Sequence, residues 1–232
     1  MAAGLAAESE PPKQTKVIVA DATATSNLPM TPSTQEKRFQ TLRGKLRIEG
    51  TSNLDDWQVE STSLNLFLRV GWSFPTEPGQ AVAVGELVAT AQGGVETCTL
   101  KSVEKDGKPF SNKMDQIMYE KLKFKEHPRI AYQLDVLSLR ALPETKDASY
   151  QFESKGKLIV AGVTNTVTMP LNVLPLGHQR LKISGAASVK MTDFHIEPPS
   201  PKIALGWIKT GNEVKLNLDA VLTANDSRPS HE

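Results

Sequence analysis

The sequence contains few of the features that mark disulfide-bonded, membrane-spanning or nucleic-acid-binding proteins. Its one cysteine, Cys98, excludes an intramolecular disulfide and any metal site built from several cysteines. No apolar run approaches the ~20 residues that cross a bilayer as a helix, so we expect no transmembrane segment. The 27 basic and 26 acidic side chains leave a formal charge of +1, so we expect no nucleic-acid partner.

Local motifs for catalysis or cofactor binding are also missing. The four histidines form no HxH or HExxH pair, and neither a GxSxG nucleophile elbow nor a phosphate-binding glycine loop is present. Asp193, His195 and Glu197 alternate in MTDFHIEPPS, which places them on one side of an extended chain. We interpret this stretch as a bend in which Asp193 bonds backbone amides. The sequence therefore predicts no catalytic residue, no metal site and no cofactor.

An alternation of apolar and polar residues dominates the centre of the chain. In YQFESKGKLIV, for example, Tyr150, Phe152, Leu158 and Val160 share one face and charged residues share the other. About eight such segments are separated by glycine, proline and asparagine turns, and we interpret AQGGVE at 91–96 as a turn or bulge. Such alternation is typical of antiparallel sheets with one apolar and one solvated face. The sequence predicts an all-β domain, either a closed barrel or a sandwich.

One segment follows a helical period instead. In SNKMDQIMYEKLKF, the residues Met114, Ile117, Met118 and Leu122 recur at helical spacing, and Ser111 precedes them as a capping residue. An amphipathic helix inside a β domain must cover an apolar surface with its apolar face. We expect this helix to lie over an open end of the barrel.

The two ends of the chain have compositions typical of disordered tails. Residues 1–41 are rich in Ala, Pro, Ser and Thr, and only 16–20 is expected to form a short strand. The first residues resemble the small-residue end of an export signal. With a second disordered tail at 224–232, the folded domain is predicted to span 42–223.

Large apolar residues are spread over the predicted strands and the helix. A barrel of about eight strands can fill its interior with such side chains or hold a ligand there. Inward-facing Gly185 and Ala187 are small, and Met169 is flexible, so these positions leave or adapt space. The residues alone leave a filled core and a cavity equally open.

Several motifs occur together in a characteristic order. GTSNLDDWQVES at 50–61 is followed by the helical KMDQIMYEKLKFKEHPRIAYQL at 113–134, GKLIVAGVTNTVTMPLNV at 156–173 and LKISGAASVKMTDFHIEPP at 181–199. No single motif is specific, but the four in sequence are. Over about 44–223 the chain resembles the YceI-like family of lipid- or polyisoprenoid-binding proteins.

The resemblance implies a lipocalin-like antiparallel β-barrel of about eight strands with one amphipathic helix against it. It implies a long apolar tunnel that binds, and carries or sequesters, an amphipathic lipid: a polyisoprenoid, a quinone-like molecule or a fatty-acid derivative. It also implies a bacterial periplasmic or secreted location. The alternatives are a filled-core barrel that acts as a stress-response or interaction module, and an enzyme on a barrel-bound lipid with Asp193 and His195 as acid and base. A homodimer is left open.

The tunnel wall is predicted from the large apolar residues of the strands and the helix. Ten residues are expected to line it: Trp57, Phe67, Ile117, Met118, Leu122, Tyr132, Leu134, Phe152, Met169 and Phe194. His195 stands where the family more commonly has glycine, so we consider it a candidate contact for a lipid head group at the mouth. A histidine that the family commonly has before the tryptophan is replaced in Asp55-Asp56-Trp57.

Overall fold

The computed structural model of the chain describes residues 36–203 and 206–225. The strand predicted at 16–20, most of the predicted N-terminal tail and the last seven residues lie outside the described residues. The first strand begins at Lys37 and the last ends at Ala224, so the sheet extends past the predicted domain limits of 42 and 223. Phe39 is buried and pairs with both Leu68 and Ala224, which explains why these end residues join the barrel.

Thirteen strands and one helix form the described part of the chain. The strands are β1 (Lys37–Ser52), β2 (Trp57–Ser61), β3 (Asn65–Val70), β4 (Gly85–Leu87), β5 (Ala89–Glu96), β6 (Lys101–Val103), β7 (Arg129–Ala141), β8 (Tyr150–Val160), β9 (Val163–Gly177), β10 (Arg180–Lys190), β11 (Lys202–Ile203), β12 (Gly206–Trp207) and β13 (Thr210–Ala224). The helix α1 (Asn112–Lys121) lies between β6 and β7, and short 3-10 turns occupy Thr97–Thr99 and Met191–Phe194.

Eight of the strands close into an antiparallel barrel. They follow the order β1, β3, β5, β7, β8, β9, β10 and β13, and β13 pairs with β1 to complete the ring. Strand β1 is long enough to pair first with β3 and then with β2, which carries β6 on its far side. Closure removes the open sheet edges that the strands of a sandwich would leave. The prediction of an all-β barrel of about eight strands with one helix is therefore confirmed.

The inward-facing residues form two apolar clusters. The inner cluster is centred on Phe74, Leu139, Tyr150 and Phe152, whereas the outer cluster includes Val59, Ile130, Leu158, Val160 and Phe194. Leu66, Tyr132 and Leu218 pack against both clusters. On β8 the burial alternates as predicted, because period-two spacing sends every second side chain inwards.

The interpretation of AQGGVE as a turn or bulge was wrong, because these residues form most of β5. A Cβ atom on Gly93 would collide with Leu66 of β3, and one on Gly94 would collide with the carbonyl of Ile130 on β7. The two glycines therefore allow neighbouring strands to approach closely, which is a recognised use of glycine inside a strand. Such a contact between distant segments leaves no local trace in the sequence.

A loop at 71–80, here called the inner loop, covers the end of the barrel next to the inner cluster. Its Phe74 side chain is only 1% exposed. The Gln80 side chain accepts hydrogen bonds from the backbone N–H groups of Thr76 and Glu77 and donates one to the carbonyl of Phe74. The Tyr150 hydroxyl donates to the backbone carbonyl of Gln80 at 2.6 Å, which fastens the loop to β8.

Helix α1 lies at the opposite, outer end of the barrel. As predicted, Ser111 caps it: its hydroxyl accepts a hydrogen bond from the Met114 N–H. The buried Asp115 carboxylate accepts the Ser102 N–H at 2.7 Å and joins the helix to β6. Met118 and Leu122 pack against the outer cluster. Within residues 36–203 and 206–225, no helix is long and apolar enough to cross a membrane.

Candidate functional site

The barrel is hollow. Its interior contains a cavity of about 1430 Å³, which exceeds the roughly 300–1,000 Å³ of most small-molecule pockets. The wall consists mainly of aliphatic side chains on the barrel strands, among them Leu46, Ile48, Leu66, Leu68, Ile130, Leu134, Leu158, Val160, Val167, Leu171, Val173, Ile183, Leu216 and Leu218. A space with such a wall suits a hydrocarbon chain, because it offers apolar contact along its length.

The cavity extends along the strands from the outer end of the barrel to the inner loop. On β8 its wall runs from Val160 to Ser154, a distance of about 20 Å at ~3.3 Å per residue. At the inner end the wall includes Phe74, whereas Phe152, the next inward residue of β8, lies behind Phe74 and outside the wall. The two rings stack with their centroids 5.4 Å apart.

The outer end has a mixed polar and apolar rim. Met114 and Ile117 of α1 line it, together with Asp55, Asp56 and Lys105 from the connections beside β2 and β6. Lys105 pairs with Asp55 at 3.8 Å, so opposite charges meet at this rim. Charged groups confined to the rim leave the deeper cavity for apolar atoms.

Few polar atoms reach the middle of the cavity wall. Ser154 is buried, and its hydroxyl donates to the backbone carbonyl of Met169 at 3.1 Å. The oxygen of Tyr132 is buried and has no hydrogen-bond partner among the described residues. Burial raises the pKa of Tyr132 above its ordinary value, and the nearby Ser154 hydroxyl partly offsets this shift. A neutral phenol and a bonded hydroxyl keep this region without formal charge.

The structure brings most of the predicted tunnel residues to one cavity. Nine of the ten border it: Trp57, Phe67, Ile117, Met118, Leu122, Tyr132, Leu134, Met169 and Phe194. Phe152 does not, because it packs in the inner cluster behind Phe74. Contact of these residues with a ligand stays a prediction.

Phe67 lies beside the cavity but does not point into it. It is 50% exposed and alternates on β3 with the inward-facing Leu66 and Leu68. Its neighbours of the same parity, Asn65 and Arg69, are also exposed. This alternation was visible in the sequence, and it is a better guide to orientation than the size of the side chain.

Residues 26–222 match the YceI-like domain. The chain belongs to the YceI-like family. BcnA of Burkholderia cenocepacia has a similar structure, with a TM-score of 0.53 and 14% identity over 77% of this chain and 95% of that one. A polyisoprenoid-binding domain from Saccharophagus degradans aligns with a TM-score of 0.50 and 11% identity, over 81% and 98% of the two chains. No curated protein matches this chain significantly.

The bend that carries the family's T-D-F stretch is held differently from the prediction. The Asp193 carboxylate accepts no hydrogen bond from the described residues; instead, the Asn165 side chain donates to the Asp193 backbone carbonyl. Asn212 accepts the Thr192 N–H at 3.1 Å and donates to the Thr192 hydroxyl. Phe194, which follows, is buried and lines the cavity as expected. Two asparagines from other strands thus position the phenylalanine.

His195 is exposed and lies outside the cavity wall, so the structure does not place it at the mouth. Its backbone is left-handed, with φ of 56° and ψ of 29°. Glycine adopts this conformation without strain. Histidine is among the residues that tolerate a positive φ better than most. The backbone at residue 195 would therefore accept glycine with less strain than histidine.

Neither the inner loop nor the aliphatic part of the wall was predicted from the sequence. Leu46, Ile48, Leu66 and Leu68 have the parity of inward residues and could have been found by extending the alternation along β1 and β3. Phe74 lies in a loop without a period, so nothing local predicts that it reaches the barrel interior.

Proposed function

We propose that this YceI-like chain binds an amphipathic lipid in its barrel cavity and carries or sequesters it without chemical change. The main support for this proposal is the cavity of about 1430 Å³, whose wall along the strands is mainly aliphatic. The ligand classes that fit such a wall are a polyisoprenoid, a quinone-like molecule with an isoprenoid tail, and a fatty-acid derivative. A cavity of this size counts against the alternative of a filled-core barrel.

The physical basis of the proposed binding is the burial of apolar surface. Each Å² of hydrocarbon removed from water contributes about 25 cal/mol, so a long chain binds well without many hydrogen bonds. The polar groups at the rim, among them Asp55, Asp56 and Lys105, are placed to meet a hydrated head group while the chain lies inside. This arrangement suits molecules that have one polar end.

Two further observations support the proposal. The Saccharophagus degradans structure with the same fold is described as a polyisoprenoid-binding domain. Asp193 and His195, the acid and base of the enzymatic alternative, are both exposed and outside the cavity wall. Their placement favours a binding protein over an enzyme that acts on a barrel-bound lipid.

The proposal is tested by analysing lipid in protein purified from a bacterial expression host. We expect native mass spectrometry and solvent extraction to find bound lipid, and delipidated protein to take up a prenyl alcohol or a fatty acid. Met169→Trp should reduce uptake, because residue 169 lines the cavity. The matched control is Thr168→Trp, whose side chain lies on the exposed face of the same strand. Detection of apo protein only, with no uptake of either probe, would contradict the proposal.

A further inference from the structure

We propose that Phe74 is the floor of the cavity and limits the length of the hydrocarbon chain that the barrel accommodates. This inference rests on the proposed function and concerns the specificity of the same site. It assigns to one residue of the inner loop a role in selecting among ligands that share a chemical class but differ in chain length.

The boundary between hollow and filled interior falls at Phe74. On the cavity side, Leu137 of β7 and Ile183 of β10 belong to the wall. One inward position further along the same strands, Leu139 and Leu181 are fully buried and do not belong to it. On β9 and β13 the wall continues to Val173 and Leu222, which pair with Tyr150 and Leu181, so the inner boundary of the cavity is uneven and Phe74 lies at it.

Phe74 is held in place more firmly than a loop residue usually is. Its backbone carbonyl accepts a hydrogen bond from the Gln80 side chain, and the backbone of Gln80 is fastened to Tyr150. Thr76, in the same loop, accepts a hydrogen bond from the Lys37 ammonium at 2.7 Å. Phe152 supports the ring from behind by stacking. A floor of this kind resists displacement by a chain that presses on it.

These contacts predict how affinity depends on chain length. While a chain still has cavity to fill, each additional methylene strengthens binding by about fourfold, which corresponds to ~0.8 kcal/mol per buried CH₂ group. Once the end of the chain meets Phe74, a further methylene must remain at the mouth or in water. The affinity then stops increasing, and the chain length at this plateau measures the depth of the cavity.

The experiment uses a homologous series of saturated primary alcohols that differ by one methylene, with delipidated full-length protein. Affinities are measured by displacement of a bound fluorescent fatty acid. In the unmodified protein we expect the affinity to rise with chain length and then to level off. In Phe74→Leu, the smaller side chain opens space towards Phe152, so the affinity should level off at longer alcohols. The affinity for the shorter alcohols should fall by less than a few fold.

Phe152→Leu is the matched control. Like Phe74→Leu, it replaces one phenylalanine ring of the stacked pair with a leucine side chain. Phe152, however, does not belong to the cavity wall. We expect its plateau to stay at the length found for the unmodified protein. Circular dichroism and the urea midpoint of both variants establish that they are folded.

The outcomes separate this inference from the proposed function. If no alcohol and no fatty acid binds the unmodified protein, the proposed function fails. If alcohols bind but the plateau is the same in Phe74→Leu as in the unmodified protein, or moves equally in both variants, Phe74 is not the floor and the inference is overturned.

Discussion

The phenol of Tyr132 on β7 lies so close to Gly156 on the neighbouring strand β8 that a Cβ atom at residue 156 would collide with its ring and oxygen. Tyr132 also packs against both the inner and the outer cluster. The glycine thus leaves room for an aromatic ring against β8 at the middle of the barrel.

We expect Gly156→Ala to destabilise the barrel by at least about 1–3 kcal/mol, because the added methyl group collides with the backbone carbonyl of Gln133 and with the Tyr132 ring. The measurement is the free energy of unfolding in urea. In a Tyr132→Leu background the ring is absent but the collision with the Gln133 carbonyl remains, so the same substitution should cost less without becoming neutral. Equal costs in the two backgrounds would show that the contact does not determine the requirement for glycine.

Tyr132→Phe should leave the barrel as stable as the unmodified protein or stabilise it by up to about 1 kcal/mol. The phenol oxygen is buried without a partner among the described residues, and an unpaired buried polar atom costs about 1–3 kcal/mol. Urea unfolding near neutral pH measures the change. A clear loss of stability would mean that the phenol forms a hydrogen bond with the nearby Ser154 hydroxyl, which lowers the pKa of Tyr132.

The same tyrosine predicts a dependence of stability on alkaline pH. Burial raises the pKa of Tyr132 above 10.0, so the folded state retains the proton that the unfolded state releases. Its contribution is fully present below pH of about 10 and is lost as the pH rises above that value. Unfolding free energies measured between neutral pH and alkaline pH should therefore fall less steeply in Tyr132→Phe. Tyr150, whose pKa burial also raises, accounts for part of the remaining slope.

Asp115→Ala should destabilise the protein by about 1–3 kcal/mol and accelerate exchange of a bound fluorescent fatty acid. The substitution removes the hydrogen bond to the Ser102 N–H and leaves that donor unpaired between α1 and β6. Stopped-flow exchange and urea unfolding measure the two effects. Glu120→Ala, an exposed change on the same helix, is the control and should alter neither quantity appreciably. Faster exchange in both variants would indicate that the loss of a negative charge, and not the loss of the hydrogen bond to β6, accelerates exchange.

His195→Gly is expected to stabilise the barrel by about 1 kcal/mol, because the left-handed conformation costs a residue with a side chain roughly that amount. Lipid uptake should not change, since His195 lies outside the cavity wall. The unfolding midpoint and uptake of a prenyl alcohol are measured on the same preparation. Weaker uptake without a gain in stability would restore the candidate role of His195 at a lipid head group.

The alternation of apolar residues was sufficient to predict an all-β domain, a barrel or a sandwich, because one period-two pattern determines which face of each strand is buried; the family resemblance selected the barrel. It also identified inward residues on β8 and β9, such as Leu158 and Met169, that line the cavity. Phe67 was selected for its size, although its position between Leu66 and Leu68 places its side chain on the exposed face of β3. The sequence alternation already indicated the orientation of Phe67, whereas the size of the side chain did not.

Other features depend on contacts between distant parts of the chain. The position of Phe74 follows from a loop that is fastened by Tyr150, which lies far away in the sequence and adjacent in space. Glycine pairs are common in turns, but Gly93 and Gly94 are required because β3 and β7 pass too close for a side chain at these positions. No local period or propensity encodes such relationships, so neither the floor nor the glycine-containing strand could be predicted.

The pairing of β1 with β13 has a consequence for the synthesis of the protein. Leu46 in β1 pairs with Leu218 in β13, so the ring closes only after β13 has left the ribosome. Until then β1 and β10 each have an edge with unpaired backbone groups, and such edges invite association with other chains. We expect folding to be slow, as is typical of structures dominated by contacts between distant residues, and nascent chains truncated before β13 to aggregate or to require a chaperone.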